Sequence, residues 1–190
     1  MFLGNRLIDR ELSELINSQI ETDDNYLQLK NNMPSIVPES LEIYQTDIDN
    51  ANYEQVNNEI LQYGIGLSEG QILLHGGKLP DTSFITERPL STTIDPSVAL
   101  NEEFSCSKAY RRRCIELNIL TILSSRISAF LFVDEESDFN HEREILLQSG
   151  IKLLKTREEI ILNEYPLSDA YNKVINVPVK LNFYNIDIEN

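Results

Sequence analysis

Cations are scarce in this chain of 190 residues: 16 Lys and Arg stand against 31 Asp and Glu, a formal net charge of −15. Non-specific nucleic-acid binding depends on Lys and Arg neutralising phosphates. The balance argues against it and leaves room only for a nucleic acid met through a local basic patch. The one dense basic run, "YRRRC" at 110–114, reads as a solvated loop. Cysteine is scarce as well. Cys106 and Cys114 are the pair, and the start "MFLGNRLIDRELSEL" lacks the basic segment and apolar segment of an ordinary signal peptide. Two cysteines in that setting read as free thiols in a reducing compartment. No CxxC or Cys/His zinc spacing occurs, and His75 and His141 are far apart, so no metal is expected. No apolar run approaches bilayer length, so no membrane contact is expected. Repeats, heptads and low-complexity tracts are absent.

What is present is a globular composition, 41% hydrophobic, in a length that suits one domain with a sizeable core. Two textures divide the chain, at 1–65 and 66–190. In the first, "NRLIDRELSELINSQI" puts Leu7, Ile8, Leu12, Leu15, Ile16 and Ile20 at helical spacing. "ANYEQVNNEILQYG" repeats the pattern with Tyr53, Val56, Ile60, Leu61 and Tyr63, and Gly64 is placed as a C-cap. Between them, "NNMPSIVPES" is a proline-punctuated loop. The first part is thus mostly helical.

The second part is mostly strands. "QILLHGG" is an apolar run ending in a tight glycine loop, and "RPLSTTIDPSVALNEEF" is a strand followed by a helix opening at Asp95-Pro96, with Pro96 at the first helical position. "CIELNILTIL" alternates Ile115, Leu117, Ile119 and Thr121 against Glu116 and Asn118. "ISAFLFV", "EREILLQ", "GIKLL" and "NKVINVPVKLNFYNI" add further strands. Helices followed by many strands indicate an α+β fold. "YGIGLSEG" misses the spacing of a dinucleotide-binding glycine motif and reads as a turn.

Three segments occur in a telling order: "LLHGG", "LSTTIDPSVAL" and "HEREILL". Over roughly residues 66 to 184 that order resembles the mono-ADP-ribosyltransferase superfamily, which splits the nicotinamide–ribose bond of NAD. Its arginine/serine/glutamate class carries an Arg-Gly strand end, a Ser-Thr-Ser strand and a Glu-x-Glu motif. The resemblance implies a core of two packed, mainly antiparallel sheets behind N-terminal helices, with NAD in the cleft between the sheets.

By that resemblance Glu144 is the catalytic carboxylate on the ribose 2′-hydroxyl. Breaking a glycosidic bond on ribose develops positive charge on the sugar, as glycoside hydrolysis does, and a fixed carboxylate stabilises it. Glu142 matches the glutamate that orients and deprotonates the acceptor, a general-base task. Residues i and i+2 of a strand share a face, so Glu142 and Glu144 would enter one cleft while Arg143 points away. Ser91 matches the serine that fixes the catalytic glutamate by donating to it. Thr92 and Thr93 complete that strand, and Gly76 matches the glycine at the nicotinamide amide. His75 stands where this class has arginine. A histidine followed by glycine is the pattern of the diphtheria-toxin-like class, where it contacts the ribose. Arg88, three residues before Ser91, is a candidate to supply the cation instead.

Phe139 is either a target-recognition aromatic or a loop anchor. The expected activity is transfer of ADP-ribose from NAD to a side chain of a target protein, arginine favoured, without a metal, as a toxin, effector or phage protein. The alternatives are a non-catalytic protein-binding module on the same fold, or an NAD glycohydrolase. The expected location is the cytoplasm, or delivery into a host cell without a cleavable signal.

Overall fold

The computed structural model describes residues 10–133, 143–168 and 173–188. The α+β fold is present, with helices first and a mainly antiparallel nine-stranded sheet after them. The helices are α1 (Arg10–Ile20), α2 (Asp24–Asn32), α3 (Glu39–Thr46) and α4 (Tyr53–Tyr63). The strands are β1 (Ile65–Gly66), β2 (Ile72–Gly76), β3 (Phe84–Ile85), β4 (Leu90–Thr93), β5 (Ile115–Ile122), β6 (Ser128–Leu131), β7 (Glu144–Leu147), β8 (Ile151–Ser168) and β9 (Val174–Ile188). Helices α5 (Pro96–Phe104) and α6 (Lys108–Arg112) lie between β4 and β5.

Two of the four N-terminal helices do not show in the periodicity. Helix α2 buries only Tyr26 and Leu29, and α3 only Leu41 and Tyr44. Two buried residues per helix are too few to mark a stripe. Asp23 caps α2 by accepting from the Tyr26 amide at 2.9 Å, and Asn52 caps α4 through Glu54 and Gln55. Gly64 does follow α4 as its C-cap, but with φ −74°, a conformation open to any residue. Close approach is what demands glycine there: a Cβ would sit 2.5 Å from the carbonyl oxygens of Ala129 and Ile60.

The strands expected as two packed sheets run in one hydrogen-bonded order, β1-β6-β7-β4-β2-β5-β9-β8-β3. Among the described residues β5 and β9 are the parallel pair, and the other pairings are antiparallel. One apolar cluster gathers residues from both ends of that order, Ala129 and Leu131 of β6 with Ile151 and Leu153 of β8, around Leu73, Leu120 and Tyr184. Helices α3 and α4 bury Leu41, Tyr44, Val56 and Ile60 against Phe130, Phe132 and Leu146. The helical part therefore shares its apolar surface with the sheet.

Strand β5 reverses the expected phase. Asn118, Leu120 and Ile122 are fully buried, whereas Leu117, Ile119 and Thr121 are half-buried. The strand lies between β2 and β9 and is covered on both faces, so simple alternation misjudges which side is deeper. "GIKLL" is only the start of β8, which continues to Ser168 as a ribbon paired with β9 and exposed throughout 156–164. The basic run is also not a plain solvated loop: Arg111 and Arg112 end α6, and Arg112 pairs with the fully buried carboxylate of Glu103. No helix among the described residues is long and apolar enough to cross a membrane.

Candidate active site

A cavity of about 530 Å³ opens where the end of β2, the middle of the sheet and α5 meet. Its lining includes His75 and Gly76 from β2, Ser91, Thr92 and Thr93 from β4, and Glu144 at the start of β7. Strand pairing explains the convergence. Leu74 lies opposite Thr93, and Thr93 lies opposite Glu144, so β2, β4 and β7 stand side by side. Six of the nine residues singled out in the sequence thus line one cavity. Glu142 and Phe139 lie outside the described residues.

Glu144 is held by a short charge-assisted hydrogen bond: Ser91 Oγ donates to its Oε1 at 2.6 Å. The fully buried Ile145, Leu146 and Leu147 behind it fix the strand. The hydroxyl of Thr92 donates to the Ile145 carbonyl at 2.6 Å and clamps β4 to β7. Thr93 Oγ1 accepts from the Asp95 amide at 3.0 Å and shapes the turn into α5. Asp95 caps that helix by accepting from the Ser97 amide at 2.8 Å, with Pro96 at the first turn as the sequence indicates.

His75 donates from Nδ1 to the Ser91 carbonyl at 2.9 Å. Burial, the largest effect, lowers its pKa below the ordinary histidine value, against the opposing pull of that carbonyl. The imidazole is therefore neutral at pH 7, and its Nε2 is an acceptor rather than a cation. Gly76 lines the cavity too, but the group that excludes a side chain there belongs to the protein. A Cβ would lie 1.9 Å from the Ala99 carbonyl oxygen of α5.

Arg88 does not line the cavity. It is exposed and lies over the Tyr53 ring, 5.3 Å from its centroid, with Nη1 donating to the Tyr53 hydroxyl at 3.4 Å. Among the described residues the lining carries two carboxylates, Glu102 and Glu144, and no Lys or Arg. Lys108 pairs with Glu102 at the α5 side, and its charge and that of Arg112 both reach His75. Among the described residues no group of three His, Cys, Asp or Glu could hold a metal ion. Both cysteines are free, and burial raises the pKa of Cys114, away from that of a reactive thiolate.

Two residues that matter here escaped sequence reasoning. Tyr44 lines the cavity from α3, and its phenol is pushed up first by burial and next by the charge of Glu144. Asn118, fully buried on β5, donates from Nδ2 to the carbonyls of His75 at 3.0 Å and Gly77 at 2.5 Å. It braces the turn that presents His75 and Gly76. The available signal is a lone polar residue in an apolar strand, which alternation alone turns toward solvent. Replacing Asn118 with alanine leaves both carbonyls without that donor. At roughly 1–3 kcal/mol for each buried unsatisfied group, the expected loss is about 2–4 kcal/mol, read by chemical denaturation. A variant as stable as wild type would show that the brace is dispensable.

No protein-family model matches the sequence, and no curated protein does. Solved structures do match in fold. The enzymatic component C2-I of the C2 toxin from Clostridium botulinum is 16% identical with a TM-score of 0.50, covering 85% of this chain and 46% of that one. The ADP-ribosylating toxin BECa of a C. perfringens binary enterotoxin, solved with NADH, is 13% identical with a TM-score of 0.51, over 90% and 48%. The ADP-ribosyltransferase Vis, from Vibrio splendidus, solved with agmatine, is 12% identical with a TM-score of 0.50, over 95% and 86%. The chain spans a little under half the length of the two clostridial toxins. The fold is that of ADP-ribosylating toxins.

Proposed function

We propose that this protein is a mono-ADP-ribosyltransferase that cleaves the nicotinamide–ribose bond of NAD and passes ADP-ribose to a side chain of a target protein. The observation that carries this reading is Glu144, oriented by Ser91 at 2.6 Å in a cavity shared with His75 and Gly76. A carboxylate fixed before the substrate arrives needs no reorganisation when positive charge develops, which is how preorganised charge accelerates a reaction.

The cavity fits a nucleotide ligand. Its volume of about 530 Å³ is within the range of roughly 300–1,000 Å³ typical of ligand sites. Bound NAD supplies the C–N bond to be broken and the leaving nicotinamide. The chain's own residues do the rest. Glu144 would accept from a ribose hydroxyl. The neutral His75 would offer Nε2 as a second acceptor. Lys108, paired with Glu102 at the α5 side, would meet phosphate on exchanging that partner. Glu142 would orient the acceptor, and Phe139 would meet the target. Arginine is the favoured acceptor by the Glu-x-Glu pattern, and Vis, of the same fold, binds agmatine, which carries a guanidinium. The role is that of a toxin, effector or phage protein acting in a host cell.

One observation favours a second reading. Among the described residues the lining has no Lys or Arg, which is unusual for an anionic dinucleotide, and a non-catalytic protein-binding module would not need one. Incubation with labelled NAD and a host lysate separates the readings. Labelled protein is expected. Nicotinamide release without labelled protein would identify a glycohydrolase. No cleavage at all would leave the binding module.

A further inference from the structure

We propose, resting on the transferase reading, that Arg143 is a positioning residue: it fixes Glu144 by tying the start of β7 to helix α1 and to the N-terminus of α5. The side chain leaves the cavity side and meets Asp95, Asn17, Glu21 and the Tyr26 phenol of α2. Nη1 donates to Asp95 Oδ2 and to Asn17 Oδ1, each at 2.9 Å, and Nη2 donates to Glu21 Oε1 at 3.2 Å. The Asp95 arm is the shielded one, with side-chain exposures of 14% and 6%, whereas Glu21 is 47% exposed. Shielding makes that arm the strong one, because exposed pairs are screened by water and salt.

The choice of Asp95 gives the contact its meaning. Its Oδ1 caps α5 through Ser97, and its Oδ2 receives Arg143. Helix α5 supplies Ala99 and Glu102 to the cavity wall. One guanidinium thus joins the wall of the cavity to the strand bearing the carboxylate. A lysine has no fork with which to span such partners.

The backbone gives independent support. Arg143 has φ +45°, in the left-handed region that non-glycine residues avoid, and it immediately precedes Glu144. Such a conformation persists only where the surroundings over-determine it. Here the partners of the side chain do so, and the turn they hold sets the direction in which Glu144 enters β7.

The test compares Arg143→Gly, Arg143→Lys and Glu21→Gln with wild type, by nicotinamide release and by amide hydrogen exchange at the start of β7. Glycine takes a positive φ without cost, so Arg143→Gly relieves the backbone while removing the guanidinium. The expected result for it is a kcat lower by about tenfold or more, because small misplacements of a catalytic group are costly. KM for NAD is expected to stay within about twofold, with faster exchange at Glu144 and Ile145 and partial recovery in Arg143→Lys. Wild-type kcat and exchange in Arg143→Gly would overturn the proposal. A rise in KM with kcat unchanged would also overturn it, since that would place Arg143 in NAD binding. Should Arg143→Gly not fold, Arg143→Lys decides: turnover slower and exchange faster than wild type support the tie, and wild-type values of both refute it; Glu21→Gln, at the exposed arm, is expected to have the smaller effect. If wild type cleaves no NAD, the transferase reading falls, and exchange alone still decides whether Arg143 holds the start of β7.

Discussion

Glu144→Gln is expected to leave the protein folded and to slow NAD cleavage by about 10²–10³-fold, the scale seen when one preorganised electrostatic group is removed. Glutamine keeps the shape of the side chain, and its Oε1 still accepts from the Ser91 hydroxyl now 2.6 Å away. The apolar residues behind it, Ile145, Leu146 and Leu147, are untouched and fully buried. The charge is what is lost. The loss should therefore appear in kcat, with the thermal midpoint close to that of wild type. Labelled NAD, with nicotinamide release followed in both proteins, makes the measurement. A glutamine variant as active as wild type would remove Glu144 from the chemistry.

Gly76→Ala should be among the most damaging single-methyl changes in the chain, although alanine is the smallest possible replacement. The added Cβ would lie 1.9 Å from the Ala99 carbonyl oxygen, 2.9 Å from its carbon and 3.1 Å from the Glu103 amide nitrogen. All three are helix backbone, so no flexible side chain can move aside. Either α5 lifts from β2 or the end of β2 twists, and both deform the cavity wall. Overpacking costs roughly 1–3 kcal/mol, occasionally more, and this case belongs at the upper end or beyond. For a chain of this size about 3 kcal/mol lowers the thermal midpoint by roughly 6–12 °C. The informative control is Gly70→Ala. Gly70 has a positive φ, +82°, and a Cβ there meets nothing within 4 Å. It should cost only the backbone strain, roughly 1–2 kcal/mol, and leave activity intact. Equal effects at the two glycines would show that the contact with α5 is not what constrains Gly76.

The parts of this site that were legible in the sequence were those whose chemistry is local. Asp95-Pro96 announces a helix start wherever it occurs, because the cap and the fixed proline φ need no distant partner. The order of "LLHGG", "LSTT" and "EREILL" placed His75, Gly76, Ser91 and Glu144 around one cavity because each motif sits at a strand end, and those strands pair. The parts that were hidden depend on partners far along the chain. Asn118 braces a turn about 40 residues earlier, so its polar side chain looked solvent-facing on β5 alone. Tyr44 sits on a helix that buries two residues and therefore has no visible stripe. Arg88 is the opposite case. Its closeness in sequence to Ser91 implied a cavity cation, but Tyr53 on α4 offers an aromatic face, and the guanidinium lies there.

The brace at Asn118 also bears on the order in which the molecule is made. Its Oδ1 accepts from Asn182 Nδ2 at 3.2 Å, across the parallel pair of β5 and β9, from a residue 64 positions later. Closing so long a span costs chain entropy before any contact rewards it, so parallel pairings of this kind form slowly. The turn carrying His75 and Gly76 would become rigid only after β9 has docked. During refolding, NAD cleavage should therefore return after the bulk of the secondary structure, with a lag that simultaneous recovery of the two signals would disprove. A cell synthesising such a protein would carry partly folded chains that are silent, and the activity would switch on late, when the last strand locks the scaffold.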